Sequence, residues 1–128
     1  EEQVLPPEVV ANAKDPSYSI DGDPAPGGEI FVRHCSACHG ENGEGLIGPS
    51  LKNRVFQQAA TDGLIYATIA YGRRNTVMPG FFAPDRGGFA EADIRNTVAH
   101  VRVLGPGGKQ PTQTNRIASA DDESNELE

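Results

Sequence analysis

The chain has 128 residues, which is enough for one small domain. Hydrophobic residues make up 37 % and aromatics 6 %, with no Trp, so large apolar side chains are scarce and alone build only a modest core. A net charge of −7 with scattered basic residues argues against nucleic-acid binding, and no run of about 18 apolar residues offers a transmembrane helix.

The acidity belongs to the two ends. Residues 1–26 hold six acids and one base, residues 27–104 seven acids and eight bases, and residues 105–128 five acids and two bases. The middle of the chain is therefore near neutral. The first residue is Glu1 rather than Met, as expected of a processed or trimmed product.

Residues 1–26 read as an extended acidic arm, because Pro6-Pro7, Pro16, Pro24 and Pro26 block helix continuation outside a first turn. Val9 to Ala13 allow one helical turn at most. A first helix is expected from Gly27 to His34, with Gly27 and Phe31 sharing a face. The Gly-rich stretch from Glu41 to Pro49 reads as a loop, and residues 51–58 as a short helix or turn. Thr61 or Asp62 caps the next helix, where Leu64, Ile65, Thr68, Ile69 and Tyr71 follow at helical spacing and Gly72 is the stop. Asn75 to Gly88 form a second loop. The last helix is expected from Glu91 to Leu104, with Ile94, Val98, Val101 and Leu104 on one face. Asp93 stands near its positive end and Arg102 in its last turn. His100 lies off that stripe and reads as solvent-facing. Residues 106–128 read as a polar acidic tail, giving an arm (1–26), a domain (27–105) and a tail (106–128).

Chemistry concentrates in Cys35-Ser36-Ala37-Cys38-His39, which uses both cysteines and one of the three histidines. C-x-x-C-H is the attachment signature of a c-type haem: two thiols add to the two porphyrin vinyls, and the adjacent imidazole becomes an axial iron ligand. Three other readings compete. A thioredoxin-like redox pair lacks a surrounding βαβ pattern. A zinc site lacks a fourth ligand, since no second C-x-x-C or H-x3–5-H follows. A disulfide would close a two-residue loop and stabilise little. Haem attachment alone accounts for the whole motif and implies an extracytoplasmic compartment, periplasmic or on the outer face of the cytoplasmic membrane.

With His39 on one face of the iron, the candidate for the other face is Met78, the single Met, 39 residues later in Thr76-Val77-Met78-Pro79-Gly80. Thioether sulfur suits haem iron, and Met/His ligation raises the reduction potential. A lone Met also fills core gaps, but the polar and turn-forming neighbours of Met78 do not look like helix core. His34 and His100 are the rivals, His34 being poorly placed beside Cys35. Arg54, Arg73 and Arg74 are candidates for a haem propionate or a partner's carboxylate, against the bland reading that each faces water. Tyr66, Tyr71, Phe81, Phe82 and Phe89 are candidate pocket walls.

Taken together, Gly27-x3-Phe31-x3-Cys35-x2-Cys38-His39, the later Gly48-Pro49-Ser50-Leu51, the Met78-Pro79 loop and the closing amphipathic helix resemble class I cytochrome c over about residues 25–105. The resemblance implies an all-α bundle of three to five helices around one covalent haem c, with the first and last helices packed where Gly27 permits close approach and Phe31 fills the contact. Family members often carry an aromatic on the last helix, where this chain has Ile94, Val98 and Val101. The resemblance also implies that the Pro49 carbonyl accepts the His39 Nδ1–H and that Leu51 touches the porphyrin.

A six-coordinate iron leaves no open position for a substrate, so the expected activity is one-electron transfer, a carrier and not an enzyme. The expected setting is a cytochrome subunit of a larger membrane-associated respiratory or photosynthetic complex, its partners the other subunits. A free soluble shuttle is the alternative, and a ligand sensor or peroxidase with an open sixth site is the alternative from another class.

Overall fold

The structure is a computed structural model, and it describes residues 5–84 and 87–105. The expected tail, residues 106–128, lies outside the described residues. Those residues form six helices and no strand: α1 (Pro7–Ala13), α2 (Pro24–Ile30), α3 (Ser36–His39), α4 (Arg54–Ala59), α5 (Asp62–Tyr71) and α6 (Glu91–Arg102). A π-helical turn, Phe31–Cys35, joins α2 to α3.

Local chemistry sets the helix starts. Pro24 opens α2 at a position that needs no N–H, and the Asp23 carboxylate accepts from Ala25 N at 3.1 Å. Asn53 caps α4 through Val55 N at 2.8 Å, Thr61 caps α5 through Leu64 N at 2.9 Å, and the Asp93 carboxylate accepts from Ala90 N at 2.9 Å at the start of α6. Gly72, at φ 82°, ends α5 where the sequence predicts.

The main helix pairing is α2 against α6. A Cβ at Gly27 would overlap the Asn96 carbonyl, so only glycine lets the two backbones meet there. Phe31, Ile94, Val98 and Val101 are buried beside this contact. Burying one such side chain contributes about 1.5–3 kcal/mol.

Between residues 7 and 23 the structure differs from the expected extended arm. Helix α1 has two turns, not one at most, because Pro7 occupies its first position and costs no hydrogen bond. It packs on α5, where a Cβ at Gly63 would meet the Asn12 carbonyl and Thr61 Oγ1 donates to Ala13 O at 2.7 Å. Ile20 is buried in the core, and its N–H donates to the Asp62 carboxylate at 2.9 Å.

His100 corrects a second expectation: it does not face solvent. Its ring lies 5.1 Å from that of Phe31, and a Cβ at Gly28 would come within 3.2 Å of its Nδ1. The α2–α6 backbones approach so closely that a residue beside the apolar stripe is drawn into the contact. His100 thus supplies an aromatic ring on the last helix.

Candidate functional site

The haem motif lies on the π turn and α3, so its side chains project from one continuous helical stretch at the edge of the core. Cys35 and Cys38 are half-buried and not joined to each other. Burial first, and the neighbouring Cys38 second, push the Cys35 thiol up to about 12, so it is a poor redox nucleophile at neutral pH. No group of three or more His, Cys, Asp or Glu among the described residues could hold a metal ion, which weighs against the zinc reading.

After His39 the chain folds back under the imidazole. Gly45 N donates to His39 O at 2.6 Å and Gly48 N to Cys38 O at 2.7 Å. A Cβ at Gly48 would stand 2.8 Å from His39 Cε1, so the ring needs glycine beneath it. His39 Nδ1 lies 2.9 Å from Pro49 O. A carbonyl can only accept, so Nδ1 is the donor here, which leaves Nε2 as the nitrogen that can ligate a metal.

The Met78 loop is tied to the end of α5. Phe81 N donates to Ile69 O at 2.9 Å, Phe82 N to Ala70 O at 3.2 Å, and Met78 N to Thr76 Oγ1 at 3.1 Å. A cavity of about 640 Å³ lies between this loop and the motif, lined by Cys35, Cys38, His39, Pro49, Arg73 and Met78 among others. A deeper recess of about 90 Å³ shares Cys35, His39, Thr68 and Met78 with it and adds Leu51, Phe56 and the Leu64, Ile65 and Ile69 side of α5. At the rim His34 meets Phe89 edge-on at 5.0 Å, and Phe89 stacks on Phe81 at 5.1 Å.

Residues 22–101 match the family model described as cytochrome c oxidase, cbb3-type, subunit III. This chain belongs to that family. It is similar to a cbb3-type cytochrome c oxidase subunit CcoP of Rhodobacter capsulatus, 28 % identical over 117 residues that cover 83 % of this chain and 39 % of the relative. It is likewise similar to subunit CcoP of Cereibacter sphaeroides, 35 % identical over 86 residues that cover 65 % of this chain and 28 % of the relative. The chain therefore spans well under half the length of these curated relatives. Among solved structures it is similar to cytochrome c6 of the diatom Phaeodactylum tricornutum, with a TM-score of 0.51 and 28 % identity over 62 % of this chain and 91 % of that one.

Membership of this cytochrome c family brings a covalently bound haem c with its iron. The residues present fit that group: two unlinked thiols, an imidazole whose Nε2 can ligate and a thioether line one cavity, and a volume of about 640 Å³ falls within the usual 300–1,000 Å³ of ligand sites. Leu51 reaches the recess but not the larger cavity. Arg54, Arg74 and Tyr71 line neither, and Tyr71 instead meets Phe82 edge-on at 5.4 Å.

Sequence reasoning missed a polar group behind the recess. Arg102, read as a last-turn residue facing the helix dipole, is 2 % exposed and pairs with Asp62 at 2.8 Å. Gln57, 1 % exposed, bridges to the same guanidinium. No local pattern marks them: Gln57 shares its helical face with Asn53 and Arg54, and Asp62 reads as an ordinary first-turn acid of α5.

Proposed function

We propose that this chain transfers single electrons through its haem c, held by thioethers at Cys35 and Cys38, with His39 and Met78 on the two faces of the iron. The observation that carries this reading is one cavity lined by both thiols, the His39 imidazole with its Nδ1 on Pro49 O, and the only thioether of the chain, with His34 beside Cys35 in the same wall. The haem, when bound, supplies the one-electron couple. The protein residues supply the rest. Pro49 fixes the His39 tautomer, the Gly72–Phe82 backbone holds Met78 in the cavity wall, and Ile65, Ile69 and Val101 keep water from the inner face. Arg73, which also lines the cavity, offers a guanidinium to a propionate.

The setting we propose is a cytochrome subunit of a larger membrane-associated oxidase complex, outside the cytoplasm, with the other subunits as redox partners. Family membership and the length of the curated relatives support this over a free shuttle. No helix among the described residues is long and apolar enough to cross a membrane. Ile47 and Val77, 79 % and 81 % exposed at the cavity rim, mark the side open to a partner.

The oxidised optical spectrum tests the ligand set. The sulfur-to-iron charge-transfer band is expected in the wild-type chain and lost in Met78→Ala, whose reduced form then binds carbon monoxide. A wild-type chain lacking the band, or binding carbon monoxide rapidly when reduced, overturns the carrier reading in favour of a sensor or peroxidase. Co-purification with oxidase subunits, against a monomeric elution volume, separates the subunit from the shuttle.

A further inference from the structure

The hydrogen bond from His39 to Pro49 depends on where the Pro49–Leu51 backbone lies, and a buried amide holds that backbone. Gln57 Nε2 donates to Leu51 O at 2.7 Å and to Val101 O at 2.9 Å. Its Oε1 accepts from Arg102 Nη1 at 3.3 Å, and the same nitrogen donates to the Gln57 carbonyl at 2.8 Å. Arg102 Nε is held in turn by the Asp62 carboxylate at 2.8 Å. The amide has one workable orientation, because a flipped NH₂ would face the guanidinium donor and leave two carbonyls unmatched.

The Leu51 peptide is clamped from its other side as well. Leu51 N donates to Gly43 O at 2.7 Å, and Ser50 Oγ donates to the same carbonyl at 3.3 Å. Two residues before the Leu51 carbonyl stands the Pro49 carbonyl, 2.9 Å from His39 Nδ1. We propose that Gln57 is a positioning residue for the axial imidazole: through Leu51 it sets the Pro49 carbonyl on His39 Nδ1–H and thereby tunes the reduction potential. This rests on His39 being an iron ligand. A well-placed acceptor on Nδ1–H makes the imidazole more electron-rich, which favours the ferric state. Loosening that acceptor raises the potential.

The test uses the full haem-loaded chain. Gln57→Met keeps the side-chain length and removes both donors, and Gln57→Asn keeps an amide one methylene too short. Ile94→Val trims a fully buried residue without touching Leu51. Two quantities are read: the reduction potential, and the solvent-exchange rate of the His39 Nδ1 proton by NMR in the reduced, diamagnetic protein. Gln57→Met is expected to shift the redox equilibrium toward the reduced form about threefold or more, about 28 mV at 59 mV per tenfold, with faster proton exchange. Gln57→Asn moves both in the same direction by less, and carries the test if the Met variant does not fold. Ile94→Val moves neither. Wild-type values in the folded Gln57 variants, or an equal shift in Ile94→Val, overturn the proposal. A wild-type chain that binds no haem through His39 overturns it together with the functional reading, whereas bound haem with an unmoved potential overturns it alone.

Discussion

Asp62 and Arg102, forty residues apart in sequence, form an ion pair at 2.8 Å with side chains only 6 % and 2 % exposed. The other carboxylate oxygen takes the Ile20 N–H, and the guanidinium also reaches the Gln57 and Ala60 carbonyls. One pair therefore ties together the segment before α2, the end of α4, the start of α5 and the last turn of α6. Removing one partner leaves an uncompensated buried charge, which costs about 3–5 kcal/mol, whereas replacing both by apolar groups of similar volume is often near neutral. Asp62→Ala is expected to lose that much in a denaturant titration, through a lower midpoint at constant slope. The double variant Asp62→Leu with Arg102→Met is expected to lose less than the single one. A larger loss in the double variant would show that the pair is worth more than its own desolvation.

Two adjacent glycines on α2 should respond differently to the same substitution. At Gly27 the new methyl overlaps the Asn96 carbonyl, a backbone atom that moves only if α2 and α6 separate. At Gly28 it meets the His100 ring at 3.2 Å, and a side chain can give by a few tenths of an ångström. Thermal unfolding of Gly27→Ala should fall by about 1–3 kcal/mol or more, the usual cost of overpacking. Gly28→Ala should stay within about 1 kcal/mol, helped by the roughly 0.5–1 kcal/mol that Ala gains over Gly inside a helix. Equal losses at the two sites would mean that the helices are not held at this distance by Gly27.

His100 makes the fold acid-sensitive. Burial lowers its pKa below the ordinary 6.5, and its Nε2 is buried without a hydrogen-bond partner. Above pH 6.5 the imidazole is neutral in both folded and unfolded chains and adds nothing to the pH dependence. As the pH falls through 6.5 the unfolded chain takes the proton first, so stability drops until the folded ring also protonates. His100→Phe keeps a ring against Phe31 and removes the proton. The difference in Tm between pH 8 and pH 5 is expected to shrink in this variant relative to the wild type. An unchanged difference would assign the acid loss to other groups.

What was legible in the sequence divides along a physical line. The C-x-x-C-H motif shows in local spacing, and a chain read once in order displays spacing, whereas the Pro49 carbonyl beneath His39 came from the resemblance to class I cytochrome c. The Thr61 cap of α5, like the motif, lies within three residues of what it caps. Hidden features came from long-range approach. His100 fell off its helical stripe, yet Gly27 draws α2 so near that the buried face of α6 widens to include it. Arg102 had the expected charge for a helix end, and only the return of α5 supplied the carboxylate that buries it. Tyr71 shared the helical spacing of Leu64, Ile65, Thr68 and Ile69, but those four line the recess and Tyr71 turns to Phe82. Helical spacing identifies a face without saying where along it the cavity ends.

Thr61 does two jobs with one hydroxyl, and they should be separable. As an acceptor it caps α5 through Leu64 N at 2.9 Å, and as a donor it holds Ala13 O, at the end of α1, at 2.7 Å. Losing a Thr cap costs about 0.5–2 kcal/mol, and losing an ordinary hydrogen bond about 0.5–1.5 kcal/mol. Global stability of Thr61→Ala should fall by about 1–3 kcal/mol, with the second part appearing as easier opening of α1. Lys14 follows α1 directly and is the only Lys or Arg between residues 5 and 32, so tryptic cleavage there reports that opening. Cleavage after Lys14 should speed up more than the global loss alone predicts. Thr61→Asn keeps a capping oxygen but does not reproduce the hydroxyl donor, so it should restore most of the stability and leave the cleavage fast. Ser17→Ala, which removes only an exposed bond to Asp15, should change neither. Cleavage that merely tracks global stability across all three variants would show that α1 opens only when the whole domain does.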